Sequence, residues 1–329
     1  MTLATHDSDP RGELHPQVRT LFDVLLAARP AERVFEAEAM QALDEVTATV
    51  LNVGAPEKPA PAEIQIASPA RSMRALVFAP ENPSGGPMPV VVFIHGGGFV
   101  VMSPETHAKM TKLIAAGSGA IVVSIEYRRA PQHPYPAPLD DCVAAFRWVR
   151  ANAASLGGDP ARVAIAGDSA GGNLAAATVL RLLAEGDAPP AAAMLICAWT
   201  DLGNATPAFD LFAPDDPVID ALVMEYFRAC YAPEPAQWDD PFVSPLRGDL
   251  SGFPPACVVI GGIDPLRDDG VLFAEKLRTA GREVDEQFYA GMPHDFMMWV
   301  PALDAAQPAV DAMCSFLRHA LSAAVSPAG

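Results

Sequence analysis

The chain has 329 residues and a mass of 34.6 kDa; half of its residues are hydrophobic and 19% are charged. These proportions exclude an intrinsically disordered chain and allow one large domain or two smaller ones. The net charge of −18 and the pI near 4.6 argue against binding to nucleic acids or to anionic membrane surfaces.

The cysteines and the N-terminal residues indicate in which cellular compartment the protein is expected. The five cysteines are scattered and never form a C-x-x-C pair, which favours reduced, buried thiols over a disulfide framework or a zinc site. Residues 1–15 contain no apolar segment typical of a signal peptide. No apolar stretch approaches the ~18 residues that a membrane span needs. We therefore expect a cytoplasmic protein without a membrane span.

Residues 1–50 are predicted to form a helical arm. The segment 14–29 places its apolar side chains at helical spacing and ends at Pro30. A second helix is predicted over 33–50. A proline-rich joint at 55–63 then separates this arm from the remainder of the chain.

Beyond residue 63, short β-rich segments alternate with helical ones, which predicts a mostly parallel sheet with helices on both faces. The predicted strands are 64–68, 74–78, 89–95, 120–127, 161–168, 191–199, 255–262 and 283–289, and the predicted helices are 105–117, 139–155, 170–184, 268–281 and 306–323. The fold class is therefore α/β, with its core predicted in two parts, 51–201 and 237–329.

The segment 202–236 interrupts this alternation with a helix of its own near 217–231. An insertion after a strand can cover the crevice where ligands of α/β proteins bind, so we interpret it as part of a cap. A plain surface excursion is the alternative. Its apolar residues could line a site or pack the cap on the body: Phe209, Phe212, Val218, Ile219, Met224 and Phe227.

The strongest chemical signal is the pattern G-x-S-x-G at 167–171, which lies between a predicted strand and a predicted helix. That context is typical of a nucleophile elbow, a tight turn that exposes a serine at the end of a strand. Ser169 is therefore the candidate nucleophile. Taken alone, Ser169 could also be an ordinary N-cap serine.

A second signal is the run HGGGF at 95–99, directly after the strand predicted over 89–95. Glycines there let backbone N–H groups approach a reacting carbonyl, as in the oxyanion loops of lipases and esterases. The loop and the elbow together favour a catalytic site over two unrelated glycine-rich turns.

A serine nucleophile needs a base, and two histidines follow it, His294 and His319. His294 lies in a loop after the last predicted strand, from which it can project into a site. His319 lies on the terminal helix and is interpreted as a surface residue. We therefore expect His294 to be the base.

The acid should follow the preceding strand, where Asp264 stands at the strand end. Asp268 and Asp269 fall in or beside the next helical turn, where acids are common for dipole reasons alone. Asp168 precedes the nucleophile on the turn and is interpreted as structural. Asp264 is therefore the expected acid.

The blocks HGGGF, YRRAPQHPYPAPLDD, GDSAGGN, DPLRDDG and MPHDF, in this order between residues 95 and 296, resemble the hormone-sensitive-lipase-like family of esterases. The resemblance implies an α/β-hydrolase fold with a helical cap. It also implies hydrolysis of short- to medium-chain carboxylic esters, without cofactor or metal, and a homodimer formed through the strand near 283–289 and the last helix.

Carried over from the family, the catalytic residues are Ser169, Asp264 and His294, and the oxyanion donors are the backbone N–H groups of Gly97, Gly98 and Ala170. His95 and His133 are expected to be structural. The same triad could cleave amides or carbamates, and some relatives of this kind are non-catalytic small-molecule receptors, although their triads are incomplete.

Three positions depart from the family pattern: Arg129, Gln132 and Asp295. Arg129 and Gln132 leave the chemistry untouched but could alter packing behind the site. A carboxylate at Asp295, next to His294, is expected to raise the pKa of that histidine or to compete as its partner.

Overall fold

The structure is a computed structural model that describes residues 14–29, 35–81, 85–203 and 206–322. Within these residues, eight strands form one sheet: β1 (Pro61–Ala67), β2 (Ser72–Phe78), β3 (Met88–Ile94), β4 (Ile121–Ile125), β5 (Gly158–Asp168), β6 (Ala193–Ile196), β7 (Ala256–Gly261) and β8 (Val284–Tyr289). Their order is β1-β2-β4-β3-β5-β6-β7-β8. Strands β3 to β8 run parallel to one another, and at one edge β1 pairs antiparallel with β2, which in turn pairs antiparallel with β4. The prediction of a mostly parallel sheet is confirmed.

The helices of the described residues are α1 (Pro16–Ala28), α2 (Ala37–Gln41), α3 (Asp44–Leu51), α4 (Ala108–Ser118), α5 (Ala137–Asn152), α6 (Ser169–Ala184), α7 (Pro207–Phe212), α8 (Ala221–Tyr231), α9 (Arg267–Thr279) and α10 (Ala306–Ser322). Short 3₁₀ turns separate several of them. Within the described ranges, no helix has both the length and the apolar character needed to cross a membrane.

Alternate residues of the central strands face two separate hydrophobic cores. In β3, Val90, Val92 and Ile94 pack on one side, whereas Val91 and Phe93 pack on the other. Helices α5, α6, α8 and α9 contribute to the first core, and α1, α4 and α10 to the second. Because both faces are covered, the strands are apolar on both sides, which explains their continuous apolar runs.

Two predictions about helices need correction. The helix predicted over 33–50 is two helices, α2 and α3, separated by a turn at Ala42 and Leu43; residues 33 and 34 lie outside the described ranges. The helix predicted near 217–231 begins at Ala221 rather than near residue 217. The carboxylate of Asp216 accepts the N–H groups of Val218 and Ile219, which forms a turn in place of the first helical residues.

Helix α7 was not predicted from the sequence. Thr206 caps it by accepting the N–H of Phe209 at 3.2 Å, and Pro207 occupies its first position. A threonine followed by proline is an ordinary signal for a helix start, so this helix could have been predicted from the sequence.

The parallel strands end at one edge of the sheet, and four loops meet there. These loops follow β3, β5, β7 and β8, and they carry the candidate residues named above. Ligands of open α/β sheets bind at the carboxyl ends of the strands, so this edge is where a site is expected.

Candidate active site

Ser169 occupies a strained turn between β5 and α6. Its φ of 53° is uncommon for a residue other than glycine. A Cβ at Gly167 would lie 2.3 Å from the carbonyl oxygen of Gly171, and one at Gly171 would lie 2.1 Å from that of Ile94. The flanking glycines are therefore required by close backbone approach, and the turn places Ser169 at the N-terminus of α6, as the motif predicted.

The glycine loop after β3 places the backbone amides of Gly97 and Gly98 along the cavity that Ser169 also lines. Gly97 and Gly98 have φ values of 104° and 59°, which side chains rarely adopt. Among the described residues, neither N–H has a hydrogen-bond acceptor. Ala170 lies in the first turn of α6, where backbone N–H groups have no intrahelical partner. The three N–H groups are thus available to a bound oxyanion.

Asp264 and His294 form a buried hydrogen-bonded pair. Nδ1 of His294 lies 2.9 Å from Oδ2 of Asp264, and the other carboxylate oxygen accepts the N–H of Leu266 at 2.8 Å. A Cβ at Gly262 would lie 2.1 Å from the carbonyl oxygen of Ala290, so the loops after β7 and β8 meet only because a glycine is present. The pairing predicted from the sequence is present in the structure.

The carboxylate of Asp295 contacts the other ring nitrogen of His294. Its Oδ2 lies 3.1 Å from Nε2, whereas Oγ of Ser169 makes no hydrogen bond within the described part of the chain. Asp295 is held at a φ of 47°, and its Oδ1 is buried without a hydrogen-bond partner among the described residues. The expectation that Asp295 competes for His294 therefore agrees with the geometry.

These contacts shift the pKa values of both residues. Burial opposes the charged imidazolium, but the carboxylates of Asp264 and Asp295 outweigh it and raise the pKa of His294 well above its ordinary value. Burial raises the pKa of Asp295 to about 6, although the facing histidine opposes the rise. A neutral His294, which a general base requires, is therefore disfavoured by its second carboxylate.

The alternative acids have other partners. Asp168 accepts the N–H of Gly96 at 3.1 Å and lies 3.0 Å from Nε2 of His107, so it supports the glycine loop from behind. Asp268 accepts the N–H of Ala208, and Asp269 accepts that of Asp201. Sequence reasoning did not single out His107, because its partner Asp168 is far away in the chain.

His319 is exposed, as expected, and His133, which was expected to be structural, is exposed as well. His95 is buried, stacks on the ring of Tyr127 at 4.4 Å, and has its Nδ1 2.8 Å from the carbonyl oxygen of Gly96. Its contacts hold the loop rather than face the site.

A cavity of about 240 Å³ joins the serine, the histidine and the glycine loop. Its lining is mostly apolar: Met40, Gly97, Gly98, Val101, Met102, Ser169, Trp199, Val218, Ile219, Val223, Met224, Phe227, Leu266, His294 and Asp295. A larger surface cavity of about 510 Å³, near Lys58 and Glu81, contains none of these residues.

Four of the six predicted cap residues line this cavity, and two do not. Phe209 packs against the first core, and Phe212 is buried beneath the guanidinium of Arg267, 5.3 Å from its ring centroid. Met40 and Trp199 were missed as lining residues, because they reach the cavity from the N-terminal arm and from the loop after β6.

Cys197 brings a sulfur close to the histidine pair, and the donor atoms of Cys197, Asp264 and His294 lie within 4.8 Å of one another. The hydrogen bond between His294 and Asp264 already engages Nδ1 and a carboxylate oxygen. Burial raises the pKa of the Cys197 thiol well above its ordinary value, so it stays protonated. This donor set fits a proton-transfer pair better than a metal centre.

Comparisons with known proteins agree with the geometry. A family model described as alpha/beta hydrolase fold matches residues 91–298. Carboxylesterase NlhH of Mycobacterium tuberculosis is 41% identical over 241 residues, covering 72% of this chain and 75% of that protein. Ethyl acetate hydrolase of Pseudomonas putida is 36% identical over 209 residues, covering 63% of this chain and 65% of that protein.

The solved structures give the same result. An esterase from the archaeon Pyrobaculum calidifontis superposes with a TM-score of 0.89 at 34% identity, covering 95% of this chain and 99% of that one. A carboxylesterase from a metagenomic library, EstE1, superposes with a TM-score of 0.83 at 34% identity, covering 87% of this chain and 98% of that one. The chain therefore belongs to the α/β-hydrolase family of hormone-sensitive-lipase-like carboxylesterases.

Proposed function

We propose that this protein is a serine carboxylesterase in which Ser169 is the nucleophile, His294 the base and Asp264 the acid. The observation that carries the proposal is the convergence of three groups on one apolar cavity. These are the strained serine, the buried pair of His294 with Asp264, and the amides of Gly97 and Gly98. The esterase names of the relatives support the same reaction.

The reaction has two acyl-transfer steps. Nε2 of His294 removes the hydroxyl proton as Oγ of Ser169 attacks the ester carbonyl carbon. The negative charge on the former carbonyl oxygen is stabilised by the N–H groups of Gly97, Gly98 and Ala170. The imidazolium then gives its proton to the departing alkoxide, which leaves as the alcohol. Water, deprotonated by His294, attacks the acyl-enzyme, and the acid is released as Oγ recovers a proton.

Asp264 keeps Nδ1 protonated and stabilises the imidazolium that forms during both steps. The Nε2 atom must face Ser169 for the proton to transfer, and so must turn from Oδ2 of Asp295, which lies 3.1 Å away. Catalytic hydrogen bonds often form only once substrate is bound.

We propose that the substrates are esters of short- to medium-chain acids. The cavity, at about 240 Å³, lies below the ~300–1,000 Å³ that is typical of ligand pockets. That space suits an acyl chain of a few carbons together with a small alcohol. The apolar lining favours an uncharged acyl chain.

We propose that the N-terminal arm and the insertion at 202–236 form one cap over the cavity. The guanidinium of Arg29 on the arm lies 3.1 Å from the carboxylate of Asp220 and donates to the carbonyl of Asp216 at 2.9 Å. The rings of Phe35 and Tyr226 stack at 5.5 Å. The two parts thus support each other although they are far apart in the chain.

We also propose a homodimer formed through β8 and α10. Strand β8 is the last strand of the sheet, and Phe288 on it is 44% exposed. An open strand edge with an exposed aromatic ring favours pairing with a second copy. A cytoplasmic location stays a prediction.

The test of the function is ester hydrolysis by the wild type and by Ser169→Ala, measured with p-nitrophenyl esters from acetate to palmitate. We expect the highest rate on short chains and a fall in kcat of at least ~10⁴-fold in the variant, because the nucleophile is removed. Ser155→Ala, at an exposed serine, is the control and should keep full activity.

A peak at long chains would contradict the short-chain preference. Activity that survives in Ser169→Ala would refute the nucleophile. p-Nitroacetanilide, assayed beside the esters, measures whether amides are cleaved by the same site.

A further inference from the structure

The loop that carries the oxyanion amides is strained beyond its glycines. Phe99 and Met102 also have positive φ values, 65° and 70°. Such residues persist only where surrounding contacts hold them. Phe99 is held by its ring, which stacks on Tyr231 at 3.8 Å, and by its carbonyl, which accepts the N–H of Ala130 at 2.9 Å.

Two side chains hold Met102 by hydrogen bonds to its backbone N–H and its backbone carbonyl. Its N–H donates to Oδ1 of Asp44 at 2.8 Å, and its carbonyl accepts from Nη1 of Arg129 at 2.7 Å. The same Nη1 donates to Oδ2 of Asp44 at 2.5 Å, which closes a ring of three hydrogen bonds. We call Asp44 and Arg129 the arm clamp, because Asp44 is the first residue of α3 in the N-terminal arm.

A second contact in the same place reinforces the arm clamp. The amide of Gln41, at the end of α2, donates to the carbonyl of Val100 at 2.8 Å and lies 3.3 Å from the side chain of Gln132. Arg129 and Gln132, which depart from the family pattern, thus both contact residues of the arm that bind the loop.

The strained segment is packed directly against the oxyanion amides. The N–H groups of Val100 and Val101 both donate to the carbonyl of Gly97, at 3.0 and 2.9 Å. A Cβ at Gly97 would lie 2.2 Å from the carbonyl oxygen of Val101 and 3.0 Å from Cβ of Met102. Because Gly97 packs this closely against Val101 and Met102, a displacement of Met102 should also displace Gly97.

We infer that Asp44 and Arg129 are positioning residues for the oxyanion hole, through which the N-terminal arm sets the placement of the Gly97 and Gly98 amides. This inference rests on the proposed function. Their side chains are only 16% and 24% exposed, which shields the ion pair from water. An arm displaced from the loop releases Met102 and loosens the amides, so fast catalysis requires the arm in place.

The test compares Arg129→Leu, Asp44→Asn and the double variant with the wild type. Hydrolysis of p-nitrophenyl butyrate gives kcat and KM, and an alkyl trifluoromethyl ketone gives an inhibition constant. The ketone adds to the serine hydroxyl and leaves an oxyanion on the same amides. Removing one oxyanion donor costs ~10²–10³ in rate, so displacing the amides without removing them should cost about tenfold.

We expect each single variant to lower kcat about tenfold, with KM changed by less than about threefold. The inhibition constant should rise by the factor that kcat loses. The double variant should be no worse than either single one, because both break the same unit. Arg129→Lys, whose ammonium can still donate to Asp44 and to Met102, should recover most of the activity.

Arg162→Leu is the matched control. Arg162 also pairs with a carboxylate, Asp159 at 2.8 Å, and donates to a backbone carbonyl, that of Pro87 at 2.5 Å, near the start of β5. It should keep the wild-type kcat. Thermal melting shows whether every variant folds. If Arg129→Leu does not fold, the comparison of Asp44→Asn with Arg129→Lys tests the inference.

Three results would overturn the inference while the wild type remains an active esterase. One is an unchanged kcat with a raised KM, which would make the arm clamp only a wall of the cavity. Another is an unchanged inhibition constant. The third is an equal loss of kcat in Arg162→Leu. A wild type without esterase activity would instead refute the proposed function itself.

Discussion

At the scale of single residues, the sequence located the candidate triad but not all of its contacts. Ser169, Asp264 and His294 could be found because each follows a strand in a recognisable order. The contact between Asp295 and Nε2 of His294 depends on the φ of 47° at Asp295, which no pattern of residue types reveals. The hydrogen bond from Arg129 to Asp44 joins residues 85 positions apart, and it could not be predicted from the sequence either.

Asp295 should set the lower pH limit of activity. The base must be neutral to accept a proton, and the Asp295 carboxylate helps to raise the pKa of His294. Asp295→Asn keeps the shape and tolerates positive φ but removes this charge, so the pKa of His294 falls. We expect the acidic limb of the kcat/KM profile to move to lower pH.

The control for this profile is Asp311→Asn, at an exposed carboxylate of α10, which should leave the limb in place. Asp295→Gly, which removes the carboxylate and suits the same φ, should move the limb in the same direction as Asp295→Asn. An acidic limb that stays at the wild-type pH in both variants would show that Asp295 does not govern the base.

At the scale of helices and strands, the buried strands were the easiest elements to predict, because a strand covered on both faces is apolar throughout. The cap was harder. The start of α8 at Ala221 follows from the side-chain turn of Asp216, and the break between α2 and α3 lies where Gln41 and Asp44 both reach the glycine loop. Tertiary contacts determine where these helices begin and end, and the spacing of apolar residues does not indicate such contacts.

Helix α8 presses directly on the oxyanion loop. A Cβ at Gly98 would lie 1.9 Å from the ring of Phe227, so this ring closes the cavity beside Gly98. Phe227→Ala should enlarge the cavity and move the preferred p-nitrophenyl ester to a longer acyl chain. The lost packing should cost about 3–5 kcal/mol of unfolding free energy, since Phe227 is buried.

Phe212→Ala separates the two effects of that change. Phe212, at the end of α7, is also buried but does not line the cavity. It should lower the unfolding free energy in a urea titration without changing the preferred chain length. If both variants shift the chain length alike, general loosening of the cap would explain the change, and Phe227 would not be a specificity residue.

At the scale of the whole molecule, the negative charge and the open sheet edge act against each other. A net charge of −18 on each copy opposes association, while the exposed ring of Phe288 on β8 favours it. Salt screens the repulsion with a Debye length of ~10 Å at 0.1 M and ~3 Å at 1 M. The proposed dimer should therefore tighten as salt is added.

Light scattering after size exclusion should give twice the 34.6 kDa of one chain at 0.3 M NaCl, and a lower average mass in dilute buffer. Phe288→Lys adds a charge at the proposed contact and should give a monomer in both. Leu222→Lys, at another exposed apolar side chain, should stay dimeric. A wild-type monomer at every salt concentration, or a Phe288→Lys dimer, would exclude this interface.

Strand β8 is the last strand in the chain as well as in the sheet, and its place in the chain governs when activity can begin. A ribosome delivers the glycine loop and Ser169 first, and β8 with its following His294 only near the end of translation. Until that strand joins β7, the nascent chain contains the proposed nucleophile without the proposed base. We therefore expect a chain truncated before this strand to hydrolyse no esters, so activity should appear only after the last strand has been synthesised.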